Sequence, residues 1–114
     1  ALEQDHAEAQ YWRGQDSRGG EAVRWYRLAA EQGFAPAQSK LGAAYLDGRF
    51  IRRDSSEAVR LIRLAAEQGY AEAQFLLGGM YDRGLGLPKD GDEAVRWYRL
   101  AAEQGYQRAE QALR

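Results

Sequence analysis

Residues Glu21 to Gly33 read Glu-Ala-Val-Arg-Trp-Tyr-Arg-Leu-Ala-Ala-Glu-Gln-Gly. This stretch returns as Glu57 to Gly69, with Leu61-Ile62 in place of Trp-Tyr, and again as Glu93 to Gly105, each return 36 residues on. Self-similarity at a fixed period of about 20–50 residues marks a chain whose units cannot bury their apolar faces alone and stack into one shared core. The 114 residues therefore predict one repeat domain, with units at about 1–33, 34–69 and 70–105 and a terminal element over 106–114.

Within the repeated stretch, Ala22, Val23, Trp25, Tyr26, Leu28, Ala29 and Ala30 fall at spacings of three and four, with Arg24, Arg27 and Glu31 between them. That pattern predicts an amphipathic helix with a wide buried face. Gly33 suits a left-handed stop at its end, and Phe34 follows as the apolar partner of such a cap. A second kind of helix begins near Pro36, where a first-turn proline is tolerated, and carries Ala37, Leu41 and Tyr45 on one stripe; Ala73, Leu77 and Tyr81 repeat it. Gly42 and Gly78 sit inside these helices at one register, which predicts a close approach of two helices there. Gly48 and Gly84 end them. The loops that follow lead to Asp54-x-x-Glu57 and Asp90-x-x-Glu93, the pattern of a capping box; the first unit has Arg18 at that place and a weaker expected cap.

The first unit is irregular. Residues 1–13 read as helix and Gly14 to Gly20 as a loop. One register pairs Tyr11-x-x-Gly14 with Tyr45-x-x-Gly48 and Tyr81-x-x-Gly84 and shortens only a surface loop by two residues. The other pairs Ala7-Glu8-Ala9-Gln10 with Ala71-Glu72-Ala73-Gln74 and removes about eight. The first is preferred because it disturbs only the surface. Tyr106 to Arg114 opens a further unit and stops, which predicts a truncated helix covering the last pair.

Chemistry-bearing residues are sparse. There is no cysteine, so no disulfide framework or thiolate site arises. His6 is the single histidine and has no serine, cysteine or second histidine placed around it, so a solvated helix position is expected rather than a catalyst or metal ligand. The Gly84-Leu85-Gly86-Leu87 loop lacks the Gly-Lys-Ser/Thr ending of a phosphate cradle and reads as an inter-helix turn. The formal charge of −1, with arginines interleaved by glutamates at helical spacing, gives no nucleic-acid stripe. No apolar run reaches the roughly 18 residues that suggest a membrane span. No cofactor is expected, and periplasm and cytoplasm stay equally open.

The unit Leu77-Gly78-x-x-Tyr81-x-x-Gly84-x-Gly86-Leu87-x-x-Asp90-x-x-Glu93-Ala94-x-x-Trp97-Tyr98-Arg99-x-Ala101-Ala102-Glu103-Gln104-Gly105 closely resembles the Sel-one-like repeats, relatives of the tetratricopeptide repeats. The resemblance covers essentially the whole chain. The middle copy departs from it at Phe50 and Leu61-Ile62, and the first lacks the Leu-Gly pair. The resemblance implies an all-α solenoid, a right-handed superhelix of three antiparallel helix pairs plus a truncated C-terminal helix, with the first helix of each pair lining a concave face. It also implies an adaptor that assembles protein complexes, in bacteria often at the envelope, in secretion or in signalling.

On that reading the positions that vary between units are the candidate contacts for a protein or peptide partner: Trp12, Arg13, Ser39, Leu46, Asp47, Phe75, Asp82 and Arg83. Trp12, Leu46 and Phe75 would supply apolar contacts, and Asp47, Asp82 and Arg83 a charged edge. The alternative for Trp12 is a place in the first unit's core. Three helices about 9–10 Å apart make a groove roughly 20–30 Å long, enough for about six to nine extended residues. The competing functional reading is a scaffold that self-associates through its repeat ends; a hydrolase is the weakest.

Overall fold

A computed structural model describes the backbone of residues 2–114 and the side chains of residues 6–114. Among the described residues the chain forms seven helices and no strand: α1 Leu2–Asp16, α2 Gly19–Glu31, α3 Ala35–Asp47, α4 Ser55–Glu67, α5 Ala71–Arg83, α6 Gly91–Glu103 and α7 Gln107–Ala112. α1 packs on α2, α3 on α4 and α5 on α6, while α2 meets α3, α4 meets α5 and α6 meets α7, so each pair stacks on the next. α3 also touches α5 past the intervening α4, which crowds the first helices of the pairs onto one side. This is an α-solenoid of three antiparallel pairs and a short terminal helix. No helix is long and apolar enough to cross a membrane among the described residues.

The repeated sequence makes repeated joints. Gly33 N–H donates to the Ala30 carbonyl and Phe34 N–H to that of Ala29, and the same two bonds recur at Gly69 and Tyr70 and at Gly105 and Tyr106. Each glycine has positive φ, between 83° and 91°, which ends the helix and drops the following aromatic residue onto it. Between pairs, Arg27 Nη1 donates to the Tyr45 hydroxyl at 3.1 Å and Arg63 Nη2 to the Tyr81 hydroxyl at 3.0 Å. An amide ladder runs beside them: Gln32 donates to Gln10, Gln68 to Gln38 and Gln104 to Gln74.

That ladder overturns the preferred register of the first unit. Gln10 takes the place of Gln38 and Gln74, so Gly14 takes the place of Gly42 and Gly78. A Cβ on Gly14 would stand 2.7 Å from the Tyr26 ring, as one on Gly42 would stand 2.6 Å from Ile62 and one on Gly78 2.7 Å from Tyr98. The first unit is therefore eight residues shorter, and the expected loop over Gly14 to Gly20 is largely helix. The glycine of the Leu-Gly pair is present after all. Arg13 replaces its leucine, and its guanidinium lies 5.1 Å from the centre of the Trp25 ring.

The caps follow the sequence in part. Asp54 accepts from the Glu57 N–H at 3.1 Å, and Asp90 from the Asp92 and Glu93 N–H groups, whereas Arg18 supplies no side-chain cap to α2. The reciprocal half of the box is absent for a physical reason. The Asp54 and Asp90 N–H groups already donate to the Tyr45 and Tyr81 carbonyls, and the Glu57 and Glu93 carboxylates turn to Arg60 and Arg96.

Candidate partner-binding face

The first helices bring together some of the residues chosen from sequence and separate others. Trp12 stands 57% exposed, its ring edge-on to Tyr11 at 5.6 Å between centroids. It is not part of the first unit's core. Arg13 is exposed beside it, held across Trp25. Asp47 and Arg83 are also exposed, Asp47 at 3.9 Å from Arg49 and Arg83 donating back to the Gly79 carbonyl. Leu46 is half-buried against the core of the second and third units. Leu2 and Asp5, on the same sequence stripe as Trp12, lie outside the described side chains.

Two assignments change, those of Ser39 and Phe75. Ser39 is only 1% exposed, so it cannot touch a partner, and its hydroxyl has no hydrogen-bond partner among the described residues. Phe75 is half-buried, its ring packed between Tyr98 at 5.7 Å and Tyr106 at 5.4 Å with the Arg108 guanidinium 4.8 Å above it. Asp82 is exposed but borders a groove with Tyr98, Arg99 and Leu113 at the C-terminal end of the stack. The physical reason for Ser39 and Phe75 is the stacking of neighbouring helices over this position. Tyr11, Ser39 and Phe75 are equivalent positions; Tyr11 packs between Tyr26 and Phe34 as Phe75 does between Tyr98 and Tyr106. These side chains point into the joint with the next unit rather than away from it.

The same equivalence exposes residues that the sequence reading missed. Arg108, which covers Phe75, corresponds to Glu72, and Tyr106 to Tyr70. The Tyr70 hydroxyl donates to Glu72 at 3.4 Å. Burial first, and then the Glu72 carboxylate, pushes the Tyr70 phenol up to about 12. Burial likewise raises Tyr11, with Glu72 again the second cause. Both phenols thus stay neutral at physiological pH, and the Tyr70 hydroxyl donates to the carboxylate that both of them face. The recurrence of Gln10, Gln38 and Gln74 was the sequence signal that would have placed them.

The rest of the surface offers little chemistry. His6 is exposed and in hydrogen-bond contact with Gln10 at 3.2 Å. Among the described residues no three His, Asp or Glu side chains converge as a metal ion would require.

The chain matches the Sel1 repeat model three times, over residues 7–34, 35–70 and 71–106. These bounds contain the short first unit. No curated protein matches the chain by sequence. Among solved structures, a Sel1 repeat protein from Oxalobacter formigenes is 40% identical with a TM-score of 0.84, over 93% of this chain and 47% of its own. The protective antigen c5321 of uropathogenic Escherichia coli, which displays the same fold, is 38% identical with a TM-score of 0.83, over 91% of this chain and 24% of its own. Cysteine rich protein B of Helicobacter pylori is 21% identical with a TM-score of 0.75, over 81% of this chain and 69% of its own, a likeness of fold. The chain thus spans about half, and about a quarter, of the two more similar proteins. Three consecutive matches and the shared stacking place it in the Sel1 repeat family.

Proposed function

We propose that the chain is a non-catalytic protein-interaction module that holds a segment of a partner protein against the side formed by its first helices. Repeats of this family commonly serve as protein-interaction modules, and the fold offers stacked helices rather than convergent reactive groups. The observation that carries the reading is Trp12: a large aromatic side chain, 57% exposed on a first helix, beside a joint where the equivalent packing positions are filled. Asp47 and Arg83 give the same side charges of both signs. A surface this small buries less than a standard interface of about 1,600 Å², so micromolar affinity is the expected range.

The test is site-specific photo-crosslinking in extracts of the source cell, with the crosslinker at position 12 or 83 and, as controls, at positions 24 and 67 on second helices. A protein captured from positions 12 and 83, and lost when Trp12→Ala is combined with the crosslinker at 83, supports the reading. Equal capture from the controls would overturn it.

End-to-end self-association is the second reading, favoured by the C-terminal end of the stack. Val23 and Val59 are covered by the unit that follows them, while Val95 is 36% exposed and lines a groove with Tyr98, Arg99 and Leu113, itself 38% exposed. Sedimentation across micromolar to millimolar concentration decides it. A strict monomer removes it, and association abolished by Val95→Arg supports it.

A further inference from the structure

The joints on the first-helix side follow one plan, and the middle one departs from it. In the third joint Arg108 caps an aromatic ring, its guanidinium 4.8 Å from the centre of Phe75. In the middle joint the equivalent of Arg108 is Glu72, so the charge is reversed, and the equivalent of Phe75 is Ser39, so α3 offers no ring. At this level the Tyr11 phenol of α1 and the Tyr70 phenol at the start of α5 both face the Glu72 carboxylate. That carboxylate is half-buried and accepts one long bond, 3.4 Å, from the Tyr70 hydroxyl. Lys40 on α3 and Arg108 on α7 are the basic residues of the flanking first helices, and among the described residues neither forms an ion pair with it. Tyr11 is only 9% exposed, yet no described residue bonds its hydroxyl.

We infer that Glu72, with the Tyr11 and Tyr70 hydroxyls beside it, anchors an arginine side chain of the partner segment. The inference rests on the reading of the first-helix side as the partner-binding face. A half-buried carboxylate without a counter-charge calls for a cation, and the molecule shows which cation its tyrosines take. Arg27 and Arg63 each hold a guanidinium 5.8 or 5.9 Å from a tyrosine ring centre and donate to that tyrosine's hydroxyl. A guanidinium can do the same at Tyr70, whose hydroxyl donates to Glu72 and keeps a lone pair to accept, while its second edge pairs the carboxylate. An ammonium lacks the planar fork that serves both partners at once. Trp12, exposed and edge-on to Tyr11, offers apolar surface for the methylene stem.

The test is a titration of the isotopically labelled full chain with N-acetyl-argininamide at low salt, followed by amide chemical shifts. Saturable shifts at Tyr11, Tyr70 and Glu72 with a dissociation constant of about 1–10 mM are expected. N-acetyl-citrullinamide, of similar shape without the charge, should bind about tenfold more weakly, and added salt should weaken the arginine probe. Glu72→Gln neutralises the anchor and should weaken binding about fivefold or more; Tyr11→Phe, which removes only an unbonded hydroxyl, should weaken it about twofold. Glu110→Gln, on an exposed side chain of α7, should leave it unchanged. Equal binding of the citrulline probe, full binding by Glu72→Gln, or shifts confined to other carboxylates would overturn the inference. The titration needs no partner, and the crosslinks at positions 12 and 83 do not involve Glu72. Capture from those positions without arginine binding therefore strikes the anchor alone, while a failed capture strikes the face itself.

Discussion

At the scale of single residues, the glycines of the first helices set how closely each pair can approach. A Cβ at Gly78 would come within 2.7 Å of the Tyr98 ring and 3.1 Å of the Ala94 carbonyl oxygen, whereas one at Gly91 meets nothing within 4 Å. Both glycines are helical. Gly78→Ala gains about 0.5–1 kcal/mol of helix propensity but must displace a packed ring, so a net loss of about 1–2 kcal/mol is expected. Gly91→Ala should be neutral or slightly stabilising, and urea unfolding of the two variants makes the comparison. A Gly78→Ala protein as stable as the parent would mean that the ring moves freely. Tyr70 gives a second prediction. Its folded value of about 12 lies above the ordinary 10.0, chiefly through burial, so the neutral phenol is the form the fold holds. The stability this contributes is complete below pH 10 and is lost as pH rises from 10 toward about 12, because the unfolded chain ionises first. Melting temperatures measured over that window should fall less steeply for Tyr70→Phe than for the parent; parallel curves would contradict the assignment.

At the scale of the element, helix type, order and most boundaries were legible in the sequence because apolar spacing and glycine stops coincide in each copy. Gly33, Gly48, Gly69, Gly84 and Gly105 all take positive φ just past the helix ends, as turn chemistry requires. What misled was Gly14. Its cluster with Gly19 and Gly20 looks like a loop, yet tertiary contact with Tyr26 holds it inside α1, and propensity yields to packing. The site residues Ser39 and Phe75 misled for a separate reason. Opposite the Ala-Leu-Tyr stripe of their helices they look open to solvent, but the stacking of neighbouring helices buries Ser39 and packs Phe75 against Tyr98 and Tyr106. The exposure of Trp12 was legible because its equivalents, Lys40 and Leu76, carry no aromatic ring, so the repeated core does not call for one there. The caps carry a prediction at this scale. Arg18 leaves the first turn of α2 without a side-chain acceptor, while Asp54 and Asp90 supply one to α4 and α6. Asp54→Ala should cost about 0.5–2 kcal/mol and Arg18→Asp should recover a comparable amount, read by thermal unfolding. A destabilising Arg18→Asp would show that the arginine holds a contact worth more than a cap.

At the scale of the whole molecule, stability in a stack of this kind is a sum of units and nearest-neighbour joints, so it need not be uniform along the chain. α2 to α6 each meet a helix on both sides, and α4 and α5 carry the core around Ile62, Leu77 and Met80, which is almost fully buried. α7 has six residues and rests on α6, with Ala109 its one buried side chain. The first pair lacks the side-chain cap on α2 and carries Arg13 where the later units have Leu41 and Leu77. Native-state amide exchange should therefore rank α4 and α5 as most protected, α1 and α2 next and α7 least, with α7 opening without the rest. Trp97→Ala tests whether the joints carry this gradient. It removes a buried side chain from the joint between the second and third units, at a cost of about 3–5 kcal/mol, and should lower protection in α4, α5 and α6 together while leaving α1 and α2 nearly unchanged. If protection fell equally in all helices, the chain would unfold as one cooperative block. The unequal ends would then shape its surface without setting where it opens.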